Sequence, residues 1–269
     1  MVSPIDASVV KLSYGIPGLV ELWDFRKAKY NIPLAVSLVA TTSTGITRYD
    51  PKVLHDKLVE LGHESPFEFI SYFDDELDRR VTYRGDPERV TQHKPGSRKE
   101  ERVYTFRLKV PIFVARQIMR HRSFSYMELS RRYTSGKRVP YEFYHPHVSL
   151  LSDVLYYCSS FASRIFYKLL RFVGVKQQLA RIVMPVSTYT IFWMQGDHRA
   201  FANFFLYRLH RSAQPETRSV AIIMAALLKD NDMITPIIES MKEIAEGESL
   251  FKKARKKYLT EALKVINNL

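Results

Sequence analysis

The order of the periodic segments along the chain constrains its fold more than any other feature of the sequence. Strand-like segments come early, as the aromatic run 67–73 and the alternating run 103–110. Beyond residue 150 the pattern is mostly helical, interrupted by one β-branched and aromatic segment at 187–195. Strands early and helices late are typical of α+β proteins. We therefore expect an α+β fold with a central, mostly antiparallel sheet flanked by helices and a helical C-terminal half.

Local signals place the helices. Asp50 is suited to cap a helix and Pro51 to its first turn, and the apolar residues that follow form one stripe, so a helix is expected over 50–61. Pro111 opens another helix that runs to about Arg120. The remaining predicted helices are 150–172, 175–184, 197–211, 214–229 and a C-terminal pair.

The domain organisation is simple. The 269 residues contain no internal repeat, low-complexity tract or Gly/Ser linker, so residues 1–269 are expected to form a single domain. The charged segment 74–102, which contains two glycines and two prolines, is predicted to be a surface insertion, either a hairpin or a lid. A solvated insertion without a role is favoured over a functional one.

Charge and cysteine content narrow the environment and the partners. The net charge of +13 predicts attraction to polyanions: nucleic acid, anionic lipid or phosphorylated small molecules. The sequence contains neither a long apolar run that would span a membrane nor a secretory signal pattern, so no membrane partner is expected. The single thiol, Cys158, fits a reducing cytoplasm, and it is expected to be a buried small hydrophobic residue.

Cationic side chains are concentrated in the segment 116–133, which reads RQIMRHRSFSYMELSRRY. Arg116 and Arg120 lie four residues apart, so a helix brings them to one face. Arg120, His121 and Arg122 then follow one another, which is unfavourable unless an anion or a carboxylate neutralises them. Planar guanidinium groups with nearby serine and glutamine side chains suit a phosphate or an electron-rich heterocycle. The residues alone therefore predict a phosphate or nucleotide site.

Three further blocks accompany this segment. Residues 62–68 read GHESPFE and residues 180–185 read ARIVMP. The last block consists of Asp197-His198-Arg199, Asn203, Arg208, Ala213-Gln214 and Glu216.

Together the four blocks resemble the motifs of flavin-dependent thymidylate synthases, in the same order, over about residues 41–218. That family is recognised by Arg-His-Arg, seven residues and then Ser or Thr, which correspond here to residues 120–122 and Ser130. The resemblance implies methylation of dUMP to dTMP, with 5,10-methylenetetrahydrofolate as carbon donor and FAD, reduced by NADPH, as hydride source. It implies no cysteine nucleophile.

The resemblance also implies a flavin site, where cations would stabilise the anionic reduced cofactor. The implied FAD-binding residues are Ser65, Arg120, His121, Arg122, Glu128, Asp197, His198, Arg199 and Asn203, with Thr42 or Ser43 as a looser match. His63 is implied as a second catalytic residue that lines the folate and nicotinamide side of the flavin.

A dUMP site is implied next to it. The implied binding residues are Gln117, Ile118, Met119, Arg120, Glu128, Leu129, Ser130, Arg131, Arg132, Arg181 and Arg208. Ser130, Arg132 and Arg181 would hold the phosphate. The family equivalent of Arg181 comes from a neighbouring subunit, which implies a homotetramer with active sites at subunit interfaces. Arg208 is the expected catalytic residue, since its charge beside the uracil would favour ionisation at N3 and increase electron density at C5.

Three positions depart from the family pattern. Met127 and Asp197 each replace an Asn, and Phe69 stands where a second His is common. A carboxylate near a reduced flavin is unfavourable unless it is paired, so Asp197 is expected to pair with Arg199 or His198, or to bind a ribose. The aromatic residues Tyr126, Phe204 and Phe205 are expected in the core rather than against the cofactor.

Three other functions stay open from the sequence. One is flavin-dependent one-carbon transfer to another pyrimidine nucleotide. A second is a basic nucleic-acid-binding protein, although a nucleic-acid partner is not the favoured interpretation. A third is binding of FAD and dUMP without turnover. The sequence contains no Walker A loop, G-x-G-x-x-G fingerprint, H-E-x-x-H or cysteine-rich metal site, so a kinase, a Rossmann dehydrogenase and a zinc enzyme lack support and no metal is expected.

Overall fold

The computed structural model describes residues 4–10, 18–23, 39–40, 50–61, 63, 66, 71–74, 79–82, 91–92, 103–131 and 140–269. The described strands are β1 (Pro4–Val10), β2 (Gly18–Trp23), β3 (Ser71–Asp74), β4 (Arg79–Thr82), β5 (Thr91–Gln92), β6 (Val103–Pro111), β7 (Ser125–Glu128) and β8 (Tyr189–Asp197). The helices are α1 (Pro51–Glu60), α2 (Ile112–Ile118), α3 (Leu150–Phe172), α4 (Gln177–Ala180), α5 (His198–Arg208), α6 (Pro215–Asp230), α7 (Thr235–Glu246) and α8 (Lys252–Asn267).

Five strands form one sheet in the order β1-β2-β6-β8-β7, and every neighbouring pair is antiparallel. Phe106 of β6 lies opposite Leu22 on one side and Met194 on the other. A second antiparallel sheet has the order β3-β4-β5. The predicted α+β class, with a mostly antiparallel sheet and a helical C-terminal half, is confirmed. The single domain over 1–269 and the surface role of 74–102 stay predictions.

The core lies between the large sheet and the C-terminal helices. Phe106 and Phe192 of the sheet are fully buried, as are Phe204 and Phe205 of α5. Burying a side chain of this size stabilises the fold by about 2 kcal/mol. Phe204 and Phe205 are therefore core residues, as predicted, while the half-buried Tyr126 packs against the same cluster.

Element boundaries follow local chemistry. The carboxylate of Asp50 accepts hydrogen bonds from the amides of Lys52 and Val53, so the predicted cap of α1 is confirmed. The predicted helix 175–184 is shorter: α4 ends at Ala180 and a 3-10 turn follows at Arg181–Val183. The cause is steric, because a residue that precedes a proline, here Met184 before Pro185, is disfavoured in helical backbone geometry.

Helix α3 has the predicted bounds, and a reciprocal Ser149–Ser152 capping box starts it. Only Ser160 of this helix is buried. Cys158 is exposed, so the prediction that it is buried is wrong for the single chain. It lies at helical spacing from the exposed Val154, Phe161 and Ile165, on one apolar stripe. No helix among the described residues is long and apolar enough to cross a membrane.

Candidate active site

Helix α2 and the turn after it position the arginine-rich segment. Helix α2 buries Val114, Ala115 and Ile118 and leaves Arg116 exposed. It ends two residues earlier than predicted, and the amide of His121 then donates to the carbonyl of Ile118 at 3.1 Å. Residues 120–122 therefore lie in the turn beyond the helix end instead of continuing along one helix face.

Two aromatic residues hold this turn in place. The Tyr126 hydroxyl lies 2.9 Å from the carbonyl oxygens of both Ile118 and His121. Burial raises the pKa of Tyr126, against the opposing effect of the Arg208 charge, so its proton stays available for donation. The ring of Phe124 packs against Gly196, where an added Cβ would lie 2.5 Å from a ring carbon. A side chain at position 196 would displace the ring and the turn.

Arg208, in the last turn of α5, reaches the same turn. Its Nε donates to Nε2 of His121 at 2.9 Å, and its Nη2 donates to the carbonyl of Gln117 at 3.2 Å. Burial and the charge of Arg208 lower the pKa of His121 to about 4. At neutral pH His121 is therefore uncharged, with Nε2 as the acceptor and the proton on Nδ1.

The side chain of Gln117 joins α2 to the start of α6. It donates through Nε2 to the Gln214 side chain and accepts at Oε1 from the Thr217 hydroxyl, the latter at 3.0 Å. Nearby, the Tyr144 hydroxyl donates to Glu216 at 2.9 Å. The arginine-rich segment and the C-terminal block, which are about 90 residues apart in the sequence, therefore meet in the fold.

This cluster carries unneutralised positive charge. Arg116, Arg120 and Arg122 are exposed, and none of them forms an ion pair with a described residue. Burial lowers the pKa of Arg208, and Arg120 lowers it further, which shows that the two cations lie close together. Adjacent cations without a carboxylate fit an anionic ligand such as a phosphate, an ionised uracil or a reduced flavin.

A second arginine cluster forms around Tyr141. The Arg131 guanidinium lies 4.4 Å from the centre of the Tyr141 ring. Burial and a hydrogen bond with Tyr167 raise the pKa of Tyr141 to about 12, against the effects of Arg131 and Arg181. Within one chain, Arg131 and Arg181 therefore lie beside the same phenol. Arg132, between these clusters in the sequence, lies outside the described residues.

The other predicted dUMP-binding residues belong to α2, to β7 and to the residues that follow them. Leu129 is buried and Ser130 is exposed. Glu128 is exposed and accepts from the Thr190 hydroxyl at 2.6 Å instead of pairing with the arginines. Ile118 is buried and Met119 is half-buried, so these two residues contribute backbone groups and apolar packing to the segment.

The predicted flavin residues of α5 begin at its N-terminal end, the end opposite to Arg208. Asp197 caps α5 by accepting from the amide of Ala200 at 2.7 Å, while Arg199 pairs with Glu243 at 3.4 Å. No ion pair joins Asp197 to Arg199 or His198 within the described residues, so the expected pairing is not found in the single chain, and binding of a ribose stays a prediction. His198 and Asn203 are half-buried on the same helix. At 1.5 Å per residue, Asp197 and Arg208 stand about 16 Å apart along α5.

His63 is the remaining predicted site residue that the structure describes. His63 is exposed just beyond α1, and its amide donates to the carbonyl of Leu58 at 2.9 Å. Ser65 and the loosely matched Thr42 and Ser43 lie outside the described residues. In the described part of the chain, no group of His, Cys, Asp or Glu side chains could hold a metal ion.

Tyr126, Gln214 and Thr217 complete the cluster but were not predicted as site residues. The aromatic ring of Tyr126 predicts a core residue, although a tyrosine in apolar surroundings also needs a hydrogen-bond partner for its hydroxyl. Gln214 was recognised only as part of a sequence block. Thr217 carried no signal, because its contact with Gln117 spans 100 residues.

Comparisons with known proteins identify the family to which these segments belong. A family model described as thymidylate synthase complementing protein matches residues 74–232. A flavin-dependent thymidylate synthase from Thermotoga neapolitana is 34% identical over 166 residues, covering 58% of this chain and 73% of that protein. Another from Pseudothermotoga lettingae is 34% identical over 188 residues, covering 65% and 69%.

Among solved structures, a UMP/dUMP methylase, PolB from Streptomyces cacaoi, is similar with a TM-score of 0.43 at 22% identity, covering 88% of this chain and 94% of that one. A structural similarity this low does not support a conclusion about the present chain. The family match, however, spans more than half of the chain and contains both the arginine-rich segment and Arg208. This chain therefore belongs to the thymidylate synthase complementing protein family, that of the flavin-dependent thymidylate synthases.

Proposed function

We propose that this chain converts dUMP to dTMP as a flavin-dependent thymidylate synthase. One observation carries the proposal: Arg208 is held by neutral His121 and the Gln117 carbonyl, beside Arg120, within the segment that matches the family. The matched relatives from Thermotoga neapolitana and Pseudothermotoga lettingae bear this enzyme's name.

The described residues fit a bound flavin, because exposed Arg120 and Arg122 lack carboxylate partners among them. We propose that Arg120, His121 and Arg122 hold the flavin end of FAD and that Asp197, His198, Arg199 and Asn203, with Ser65 and Glu128, hold the rest. The separation of these groups along α5 suits an extended dinucleotide. When bound, the reduced cofactor supplies the hydride that completes the methyl group.

The chain's own contribution to the reaction is electrostatic. With Nε and Nη2 engaged by His121 and Gln117, Arg208 is fixed in place and keeps its positive charge. Beside the uracil, that charge favours loss of the N3 proton and increases the electron density at C5, which attacks the one-carbon unit. A neutral His121 suits this role, since an imidazolium would repel Arg208.

The remaining dUMP contacts follow the resemblance. Arg132 and Arg181, with Ser130, are proposed to hold the phosphate. Gln117, Arg120, Arg131 and the backbone at residues 118–119 and 128–129 are proposed to complete the dUMP site. His63 is proposed to line the side that receives 5,10-methylenetetrahydrofolate and NADPH. The reaction requires no cysteine, and no nucleic-acid partner is proposed.

We also propose that the enzyme is a cytoplasmic homotetramer with active sites at subunit interfaces. The exposed apolar stripe of α3 supports this, because a monomer seldom leaves so long an apolar face to water. Arg181, just beyond the end of α4, is exposed and so can enter a neighbouring subunit's site.

The proposal is tested on the purified protein. We expect a visible flavin spectrum with about one FAD per chain. Tritium should be released from dUMP labelled at C5, with dTMP as the product, when the folate and NADPH are added. Release from dCMP instead of dUMP would support the alternative pyrimidine substrate. A colourless protein that binds neither FAD nor dUMP would overturn the assignment.

The role of Arg208 is tested by substitution. We expect Arg208→Ala to retain FAD but to release tritium from dUMP about 100-fold more slowly, because the charge beside the uracil is lost. Arg208→Lys keeps the charge without the two-point hold and should be intermediate. Full activity in Arg208→Ala would remove this residue from the reaction.

A further inference from the structure

A basic groove lies between the segment that follows α5 and the outer face of α8. It encloses a cavity of about 620 Å³. Its lining residues are Arg211, Arg218, Lys257, Thr260, Glu261, Lys264, Val265 and Asn268.

The helical period of α8 brings its charged side chains to this groove. Lys257 and Lys264 lie seven residues apart, so both project from one face. Ala262 and Ile266 are buried on the opposite face, against the core. The groove therefore has a rigid wall, and the cations cannot turn inward.

Four cations line the groove together with one carboxylate, and that carboxylate is already engaged. One oxygen of Glu261 accepts from the amide of Arg211 at 2.8 Å, and the other lies 3.1 Å from Nε2 of His210. Nδ1 of His210 accepts from the amide of Ser212 at 3.2 Å, and the edge of the ring that carries Nε2 faces Glu261.

The four cations have no such partner. Arg211, Arg218, Lys257 and Lys264 form no ion pair with a described residue. Arg218 donates through Nε to the carbonyl of Leu209 at 2.9 Å, which fixes its guanidinium at the groove. Four positive charges gathered around one groove, with a single carboxylate that is already engaged, favour an anion with several negative groups.

We propose that this groove binds the phosphate chain of a nucleoside triphosphate. The cavity volume lies within the range of about 300–1,000 Å³ that is typical of small-molecule sites. Thr260 and Asn268 offer polar contacts between the cations. The four cations lie around one groove of about 620 Å³, which favours a small oligophosphate over nucleic acid, since nucleic acid tracks along an extended stripe of charge.

This site is separate from the proposed active site. The Arg208 side chain points to His121, whereas the groove starts at Arg211, and α8 lies beyond the residues that match the family. The inference does not depend on the proposed function, because it concerns binding alone.

Calorimetry with ATP and with inorganic triphosphate tests the proposal, with dUMP in excess to fill any substrate site. We expect Lys257→Glu/Lys264→Glu to weaken triphosphate binding at least about tenfold. The matched control is Lys253→Glu/Lys256→Glu, an equal charge change at exposed positions of the same helix outside the groove, and it should bind nearly as the wild type does.

ATP and inorganic triphosphate together distinguish recognition of the phosphate chain from recognition of the nucleoside. Equal affinity for ATP and inorganic triphosphate would support recognition of the phosphate chain alone, and tighter ATP binding would support a nucleotide. Absence of triphosphate binding by the wild type would overturn the proposal. Equal weakening in both double variants would also overturn it, as would tighter binding of a single-stranded oligonucleotide that both variants lose.

Discussion

His121 stands between two arginines in the sequence, yet in the fold it accepts a hydrogen bond from a third, Arg208. The ring lies edge-on to Phe204 at 5.1 Å between centroids, and this apolar contact is part of the burial that keeps it uncharged. The neutral ring fixes Arg208 without adding a charge. The spacing of the motif predicts the cations but not the tautomer, because the tautomer depends on Arg208, 87 residues away.

The shifted pKa of His121 makes the free energy of unfolding depend on pH. Between its ordinary value of 6.5 and about 4, the unfolded chain binds a proton at His121 that the folded chain does not. Stability contributed by the neutral ring is therefore present above pH 6.5 and is lost as the pH falls towards 4.

We expect wild type to lose about 2 kcal/mol more than His121→Gln across this window, after allowance for partial exposure of the ring. Gln retains an acceptor for Arg208 but does not titrate. Urea unfolding of both proteins at several pH values measures the difference. Parallel pH profiles would show that His121 does not carry the shift.

At the level of elements, α5 joins the two ends of the proposed site. Asp197 caps its first turn and Arg208 leaves its last turn, and the buried side chains between them fix the helix against the sheet. The resemblance places an Asn at position 197. Asn and Asp are about equally good helix caps, so this departure preserves the start of the helix.

We therefore expect Asp197→Asn to change the free energy of unfolding little and Asp197→Ala to lower it by about 1 kcal/mol, since only alanine leaves the Ala200 amide without its acceptor. Urea denaturation of the two variants checks this. Equal loss in both would indicate that the carboxylate's charge, rather than its capping bond, stabilises α5.

The elements differed in how well the sequence predicted them. The bounds of α3 were predicted to the residue, because its cap and its periodic pattern are local. The apolar stripe of α1 correctly predicts a helix, yet no residue of α1 is buried, and Val53 is 61% exposed. Apolar periodicity identifies a helix, but what covers the apolar face depends on surfaces that a local pattern does not describe.

At the scale of the whole molecule, the fold class followed from element order, while the site required contacts between distant segments. The pairing of Gln117 with Gln214 and Thr217 spans about 100 residues and has no local signature. The resemblance nevertheless identified both segments, because the arginine-rich segment and the C-terminal block, which the fold brings together, are two of its motif blocks. The exposure of Cys158 was predicted wrongly, because the burial of a side chain depends on which other elements pack against its helix.

The apolar stripe of α3 is the whole-molecule feature that the single chain leaves unexplained. Val154, Phe161, Ile165 and Phe172 recur at helical spacing and are 51%, 56%, 42% and 88% exposed. In the proposed homotetramer, copies of the chain cover this stripe and remove it from water. Each such side chain would then contribute about 1–2 kcal/mol to assembly.

We accordingly expect Phe161→Glu/Ile165→Glu to lower the molar mass measured by light scattering, because carboxylates cannot be buried unpaired in an apolar interface. Ser159→Glu places a charge on the same helix at an exposed polar position outside the stripe and should leave the assembly intact. Activity should fall with the mass if active sites form between subunits. A wild type that is monomeric in solution, or a double variant of unchanged mass, would show that the stripe does not hold subunits together.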